Sequence, residues 1–149
     1  MRWSPDGFLY TTAGREILVI DPEDLSSVKV ASGTINMMDL DEYGNMYFGK
    51  GAKLYMMPVP LGKAEMKDKK VSLKIGGIKD LKLKAVLANG KNIDGKHLKI
   101  EYVSSDHEVV AATEDGIKAI AKGTANVHAV VSYHDSVIET KVITVKVTQ

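Results

Sequence analysis

Several features common in other proteins are missing from this chain of 149 residues. It contains no cysteine, which excludes disulfides, thiolate zinc sites and cysteine nucleophiles. No apolar run approaches the roughly 18 to 20 residues that span a bilayer, so we expect no membrane insertion. The first residues include no apolar segment of the signal-peptide type, and helical periodicity is not evident anywhere. The pattern that is present, short alternating strands between turns, predicts an all-β fold.

Positive charge is concentrated in one stretch of the chain. Residues 63–99 hold eleven lysines and four acidic residues, whereas the whole chain has a net charge of +1. Lysines such as Lys82 and Lys84 alternate with apolar residues, as they do on the solvent face of half-buried strands. Neither arginine nor aromatic residues are interleaved with them, so the stretch does not indicate a nucleic-acid partner.

The distribution of aromatic residues divides the chain into two parts. Seven of the nine aromatic residues lie in the first 55 positions. Between the parts, residues 58–70 contain two prolines, a glycine and a run of charges, none of which favours a buried strand. We therefore predict a first domain over residues 1–62, a linker over residues 63–69 and a second domain over residues 70–149.

The first part contains an internal repeat with an offset of 37 positions. In each copy a glycine turn opens a short aromatic strand, and a second glycine turn opens another apolar strand. The matching anchors are Gly7 and Gly44, Tyr10 and Tyr47, Gly14 and Gly51, and Ile17 and Leu54. Repeats of roughly 40 residues with four short strands are typical of propeller blades.

The repeat resembles the blade of bacterial β-propellers, in which an Asp-x-x-Gly-Asn-x-Tyr turn opens a strand. Residues 41–47 read Asp-Glu-Tyr-Gly-Asn-Met-Tyr. Because a propeller ring needs about four or more blades, the resemblance implies that residues 1–62 are the end of a larger propeller and that the chain is a C-terminal fragment. Otherwise, exposed strand edges in this part would favour self-association or packing against the second domain.

The second part has about seven short strands separated by glycine, asparagine and aspartate turns, as in a β-sandwich. Val71 and Leu73 open it, Ser104-Ser105-Asp106 follows, and a hairpin begins at Gly116. These motifs, in this order, resemble the group 2 bacterial Ig-like domain, which implies an Ig-like β-sandwich. The family commonly has tryptophan where this chain has Tyr102. The strand phase predicts a core formed by Val71, Leu73, Ile75, Leu83, Ile100, Tyr102, Val127, Ala129, Ile143, Val145 and Val147.

The candidate reactive groups are explained as turns and solvent-facing residues. The four histidines lack metal-ligand spacing, and no histidine is placed to act as a base for Ser104-Ser105-Asp106. Residues 39–45 resemble an oxygen-rich calcium loop, and the other interpretation is a turn whose aspartates bond their own backbone. We predict no catalytic residues, no cofactor and no metal site. Trp3 and Tyr43 are candidate sugar-stacking residues, with packing inside the blade as the alternative.

The Ig-like resemblance implies a non-catalytic module of a secreted or cell-surface bacterial protein. Its expected role is adhesion, spacing or glycan attachment, and its expected partners are a cell-surface glycan or a host or matrix protein. A second hypothesis makes the chain the accessory tail of an extracellular carbohydrate-active enzyme whose catalytic part lies upstream. A third hypothesis treats the chain as complete and intracellular, with homodimerisation through the N-terminal strands.

Overall fold

The computed structural model describes residues 1–149 and confirms the all-β prediction. About 60% of the residues lie in strands, and a single 3₁₀ turn covers Gly95–His97. None of its helical segments has the length and apolar character needed to cross a membrane. The chain forms two compact units: unit 1 comprises Met1–Val59 with Leu87–Lys91, and unit 2 comprises Pro60–Val86 with Asn92–Gln149.

Unit 1 consists of two antiparallel meanders. The first is a four-stranded sheet in the order β1-β2-β3-β4, and the second is a three-stranded sheet in the order β5-β6-β7. The strands are β1 Arg2–Trp3, β2 Leu9–Ala13, β3 Glu16–Ile20, β4 Ser27–Ser32, β5 Ile35–Leu40, β6 Met46–Lys50 and β7 Lys53–Met57. We call the first sheet copy 1 and the second sheet copy 2.

The two copies repeat each other's backbone at the offset of 37 positions. Strands β2 and β6, and strands β3 and β7, begin and end at equivalent positions. The turn before the aromatic strand needs a left-handed backbone in both copies, with φ of +90° at Gly7 and +87° at Gly44, a conformation that glycine adopts without steric cost. The same turn is closed by Ser4 N–H to Phe8 O in copy 1 and by Asp41 N–H to Asn45 O in copy 2, at 2.9 and 3.0 Å.

The two copies pack against each other through one face of each sheet. Ile17 from β3 is fully buried against Met46 and Phe48 of β6. Directly paired residues share a face of an antiparallel sheet, and this places Tyr10 and Val19 beside one another on one side of copy 1. The partly buried side chains around this small core are Tyr10, Val30, Ala31, Ile35, Met38 and Leu40.

Unit 2 is built around a five-stranded sheet in the order β13-β16-β18-β9, with β17 also paired to β16. Two three-stranded sheets accompany it, in the orders β10-β15-β14 and β12-β11-β8. The strands are β8 Leu61–Met66, β9 Lys70–Lys74, β10 Ile78–Asp80, β11 Leu83–Leu87, β12 Asn92–Ile93, β13 Lys99–Ser104, β14 Val110–Ala112, β15 Gly116–Ala119, β16 Gly123–Tyr133, β17 Ser136–Glu139 and β18 Ile143–Thr148.

The core of unit 2 is formed mainly by alternate residues of the five-stranded sheet and of the β10-β15-β14 sheet. Strand β18 is buried at every second position and exposed at the positions between them, as expected for a strand with one face in a core. The buried residues are Val71, Leu81, Val110, Ile117, Ala119, Ala125, Val127, Ile143, Val145 and Val147. Gly116 closely approaches the backbone of Lys79, so that an added Cβ would overlap its carbonyl oxygen.

The structure differs from the sequence-based expectations in three places. Ile75 was expected in the core but is 49% exposed, because β9 ends at Lys74 and Gly76 turns the chain with a φ of +80°. Residues 70–149 contain ten strands rather than about seven, since several are only two or three residues long. Strand β8, Leu61–Met66, covers the first four residues of the predicted linker 63–69, with Leu61 and Ala64 buried at 7% and 6% exposure.

Candidate functional site

Trp3, one of the two candidate stacking residues, lies in β1 with 63% of its surface exposed. It pairs with Leu9 across the β1–β2 ladder, so both side chains lie on the same face of copy 1. The alternative expectation for Trp3, packing inside the blade, does not describe this position. Trp3 therefore offers an accessible aromatic ring on a sheet face, and its use for sugar stacking stays a prediction.

Tyr43, the other candidate, is half-buried in the turn before β6. Its backbone carbonyl accepts a hydrogen bond from Asn89 Nδ2 at 2.9 Å, within unit 1. Its backbone N–H donates to Asp41 Oδ1 at 2.9 Å. These contacts show how the turn holds Tyr43 in place, and they do not bring it together with Trp3, which lies on a different element.

The aspartate of the candidate calcium loop uses its carboxylate within the turn. Asp41 Oδ1 accepts the backbone N–H groups of Tyr43 and Asn45, and Oδ2 accepts Asn45 Nδ2 at 2.8 Å. Asn45 is 2% exposed, and its Oδ1 accepts the N–H of Val59 at 2.8 Å. The turn interpretation describes this loop, since the oxygens that a cation would need are hydrogen-bonded to the chain itself.

The paired serines and aspartate of the second part also form a turn. Asp106 Oδ1 accepts the N–H of Glu108 at 3.0 Å, and Ser105 Oγ accepts the N–H of Asn126 at 2.9 Å. Ser104 Oγ donates to the carbonyl of Asp106 at 3.1 Å. This network fixes the end of β13 against β16, so the motif has a structural role here.

A groove of about 680 Å³ lies on unit 2. Leu81, Leu83 and Tyr102 contribute to its apolar lining, while carboxylates and ammonium groups stand around it. The charged lining residues are Asp80, Lys96, Lys99, Glu114 and Asp115. No sequence motif pointed to this groove, because its residues come from segments far apart in the chain. The mixed charges can contact a polar ligand that both donates and accepts hydrogen bonds.

Tyr102 connects this groove to the core of unit 2. Its hydroxyl donates to the carbonyl of Leu81 at 3.0 Å, which provides the partner that a buried tyrosine needs. Partial burial raises the pKa of Tyr102 above its usual value, and the nearby carboxylates of Asp115 and Asp80 raise it further. The phenol therefore stays protonated and acts as a hydrogen-bond donor over the neutral range of pH.

A parallel strand pair joins β9 to β18 at the edge of the five-stranded sheet. Its register places Lys70 opposite Thr144 and Lys74 opposite Thr148. Val71 and Val145 are paired within it and are 6% and 0% exposed. Immediately beyond β9, the N–H of Ile75 donates to Thr148 O at 3.0 Å. Strand β9 thus begins at the same end of the pair as β18 does, and the two strands run alongside each other over five residues.

Comparison with known proteins gives no family assignment. No family model matches the chain, and no curated protein matches it. Among solved structures it is similar to domains 4 and 5 of the S-layer protein SbsC, with 13% identity, a TM-score of 0.46, and coverage of 89% of this chain and 90% of that chain. A longer structure, rSbsC(31-844), matches with 16% identity and a TM-score of 0.40, over 89% of this chain and 24% of that chain. Similarity at this level does not define a function.

Proposed function

We propose that the chain is a non-catalytic module of a secreted or cell-surface bacterial protein, and that unit 2 acts in it as a load-bearing spacer. The resemblance to group 2 bacterial Ig-like domains supports the class of protein. Its motifs fall on consecutive parts of unit 2: Val71 and Leu73 lie in β9, Ser104 ends β13, and Gly116 opens β15. The observation that carries the spacer role is the parallel pairing of β9 with β18.

The direction of a parallel pair decides how it responds to force. A pull on the chain before β9 acts at Lys70, and a pull on the chain after β18 acts at Thr148, which lies at the other end of the pair. All the backbone hydrogen bonds between the two strands are then loaded together, so separation requires that they break in concert. If the strands were antiparallel, the same pull would load them one after another. The apolar pair Val71 and Val145 adds a buried contact that must be exposed at the same time.

Force spectroscopy on the full chain tests this proposal, and the absence of cysteine allows two handles to be introduced at unique positions. In the first variant, Lys69→Cys and Gln149→Cys place the handles at opposite ends of the β9–β18 pair. In the second variant, Lys69→Cys and Val142→Cys place both handles at the same end, where Lys69 and Val142 line one cleft. We expect unit 2 to unfold at a clearly higher force in the first variant, because the second variant peels the strands apart sequentially. Equal unfolding forces would refute the load-bearing role.

The other roles implied by the family resemblance, adhesion and glycan attachment, stay predictions. Under the second hypothesis, in which an upstream carbohydrate-active enzyme carries this module as a tail, unit 2 would have the same load-bearing role.

A further inference from the structure

Unit 1 presents two apolar faces that are equivalent to faces buried within it. We define the front face of a copy by Tyr10, Ile17 and Val19 in copy 1 and by Tyr47, Leu54 and Met56 in copy 2. Each set lies on one side of its sheet, because Tyr10 pairs with Val19 and Tyr47 pairs with Met56. We define the back face by Trp3, Leu9 and Leu18 in copy 1 and by Leu40, Met46 and Tyr55 in copy 2.

Copy 1 packs its front face onto the back face of copy 2. Ile17 of the front face is in the same buried cluster as Met46, with Leu40 packed at its side. On the back face of copy 2, Tyr55 stacks on Phe48 with ring centroids 5.4 Å apart. The interface between the copies therefore demonstrates, inside one chain, that a front face and a back face of this repeat fit together.

The remaining front face and the remaining back face are open. Leu54 occupies in copy 2 the position of Ile17 in copy 1, but Ile17 is 0% exposed and Leu54 is 67% exposed. Trp3 occupies the position of Leu40, which is half-buried, but Trp3 is 63% exposed. Exposed apolar groups that cluster on a sheet face mark an interaction surface. No third copy of the repeat follows copy 2, since the chain continues into β8 at Leu61.

We propose that the open front face of copy 2 binds the open back face of copy 1 in a second molecule of this chain, so that the contact between molecules repeats the contact between the copies. A repeat that buries its faces only by stacking on its neighbours favours this kind of continuation. Because the two surfaces in contact differ, the association is head to tail. It produces an open chain of molecules or a closed ring, according to the rotation at each step.

The charges at the rim of the internal contact are compatible with this stacking. Arg2 Nε donates to Asp39 Oδ1 at 2.5 Å across the two copies, and these residues occupy equivalent positions of the repeat. In the proposed contact, copy 2 of one molecule lies against copy 1 of the next molecule. Asp39 of the first molecule therefore faces Arg2 of the second. Unlike charges therefore face each other again, and no like-charge pair is created at this position.

Sedimentation velocity on the full chain tests the proposal. Each face offers only a few apolar side chains, so we expect a dissociation constant between roughly 1 µM and 1 mM. The average mass should rise with concentration beyond that of one chain. A chain that remains monomeric up to about 1 mM would overturn the proposal and would leave the open faces to an upstream repeat of a longer protein.

Two substitutions distinguish the two faces. Leu54→Asp places a carboxylate on the front face of copy 2, and Trp3→Asp places one on the back face of copy 1. Each should weaken self-association more than about a hundredfold, because a charge would be buried without a partner. Leu25→Asp is the matched control, since Leu25 is 77% exposed and lies in the turn before β4, off both faces. It should leave the mass unchanged. Amide NMR spectra should show that all three variants keep the fold.

Mixing the two variants gives the most specific result. The Leu54→Asp chain retains a back face and the Trp3→Asp chain retains a front face, so an equimolar mixture should form a one-to-one dimer although neither variant associates alone. A symmetric dimer formed by edge pairing of β7 would behave differently. It would be lost in Leu54→Asp, kept in Trp3→Asp and not restored by mixing. That behaviour, or a mixture that stays monomeric, would overturn the head-to-tail proposal.

Discussion

The two units of this chain contain the same kind of strands but enclose them to different extents. Unit 2 holds ten buried hydrophobic residues in one cluster, whereas the core between the copies of unit 1 holds three. Unit 2 buries two sheet faces against each other, so its stability comes from within. Unit 1 stacks two sheets of which each retains one uncovered face. Because stabilisation follows the apolar area removed from water, a repeated β-sheet depends on its neighbours to cover its faces, and we expect unit 1 to be less stable than unit 2.

The largest expected effect comes from a charge placed in the core of unit 2. If unit 2 tolerated that charge, its core would not be more enclosed than that of unit 1. Val127 is 0% exposed and lies in β16 within the buried cluster. Val127→Asp should cost more than about 4 kcal/mol of the free energy of unfolding, because the carboxylate has no partner there. We expect the dispersed amide signals of unit 2 to disappear from the NMR spectrum at neutral pH.

The matched control is Thr124→Asp, which lies in the same strand but is exposed. It should change the unfolding free energy by less than about 0.5 kcal/mol. If Val127→Asp kept the dispersed spectrum of the parent, the assignment of Val127 to the core-facing side of β16 would be wrong.

Much of this core could be predicted from the sequence alone, because β16 and β18 alternate regularly between apolar and polar residues. Val127, Ala129, Ile143, Val145 and Val147 were all expected in the core and are all buried. The repeat of the first part was also visible as paired glycines, since a turn with positive φ constrains the residue type strongly. These signals are local, and local signals can be read without knowledge of the fold.

The features that the sequence did not reveal depend on contacts between distant segments. The partner of the Tyr102 hydroxyl is the carbonyl of Leu81, which no spacing rule identifies. At Gly123 the reason for glycine is also a contact with a distant residue, since a Cβ there would lie 3.0 Å from a methyl of Val109. The sequence left open whether Trp3 is exposed or packed, because tertiary packing, rather than residue type, decides which aromatic residues of a repeat are covered.

Within unit 1, the same comparison can be made at one position of the repeat. Ile17→Ala removes a fully buried side chain and should cost about 2–5 kcal/mol of unfolding free energy through lost burial and the cavity left behind. Leu54→Ala changes the equivalent residue of copy 2, which is 67% exposed, and should cost less than about 0.5 kcal/mol. Urea unfolding followed by the NMR signals of unit 1 measures both values.

This measurement must be made at a protein concentration at which sedimentation velocity shows only the monomer, so that the head-to-tail contact proposed above does not contribute. A Leu54→Ala cost as large as that of Ile17→Ala in the monomer would mean that the front face of copy 2 is already covered. The two copies would then be equally enclosed, and the statement that unit 1 retains uncovered sheet faces would be wrong.

The smallest expected effect concerns pH, and each unit has a tyrosine that reports on it. The pKa of Tyr102 in unit 2 is raised by burial and then by the carboxylates of Asp115 and Asp80. The pKa of Tyr10 in unit 1 is raised by burial and then by Asp6. A group whose pKa is higher in the folded state contributes stability below its unfolded pKa, about 10 for tyrosine, and this contribution is lost as the pH rises through the folded value. Both units should therefore lose stability above about pH 10.

Tyr102→Phe should separate these two contributions. At pH 7 it removes the hydrogen bond to Leu81 and should cost unit 2 about 0.5–1.5 kcal/mol. Above about pH 10 the variant has no phenol to ionise at this position, so the part of the alkaline loss in unit 2 that comes from Tyr102 should vanish, while the loss in unit 1, which retains Tyr10, should persist. Urea midpoints from methyl NMR signals of each unit at neutral and alkaline pH give the comparison. An unchanged alkaline loss in unit 2 would show that Tyr102 ionises as freely in the folded chain as in the unfolded one, and would place its ring in water rather than against the core.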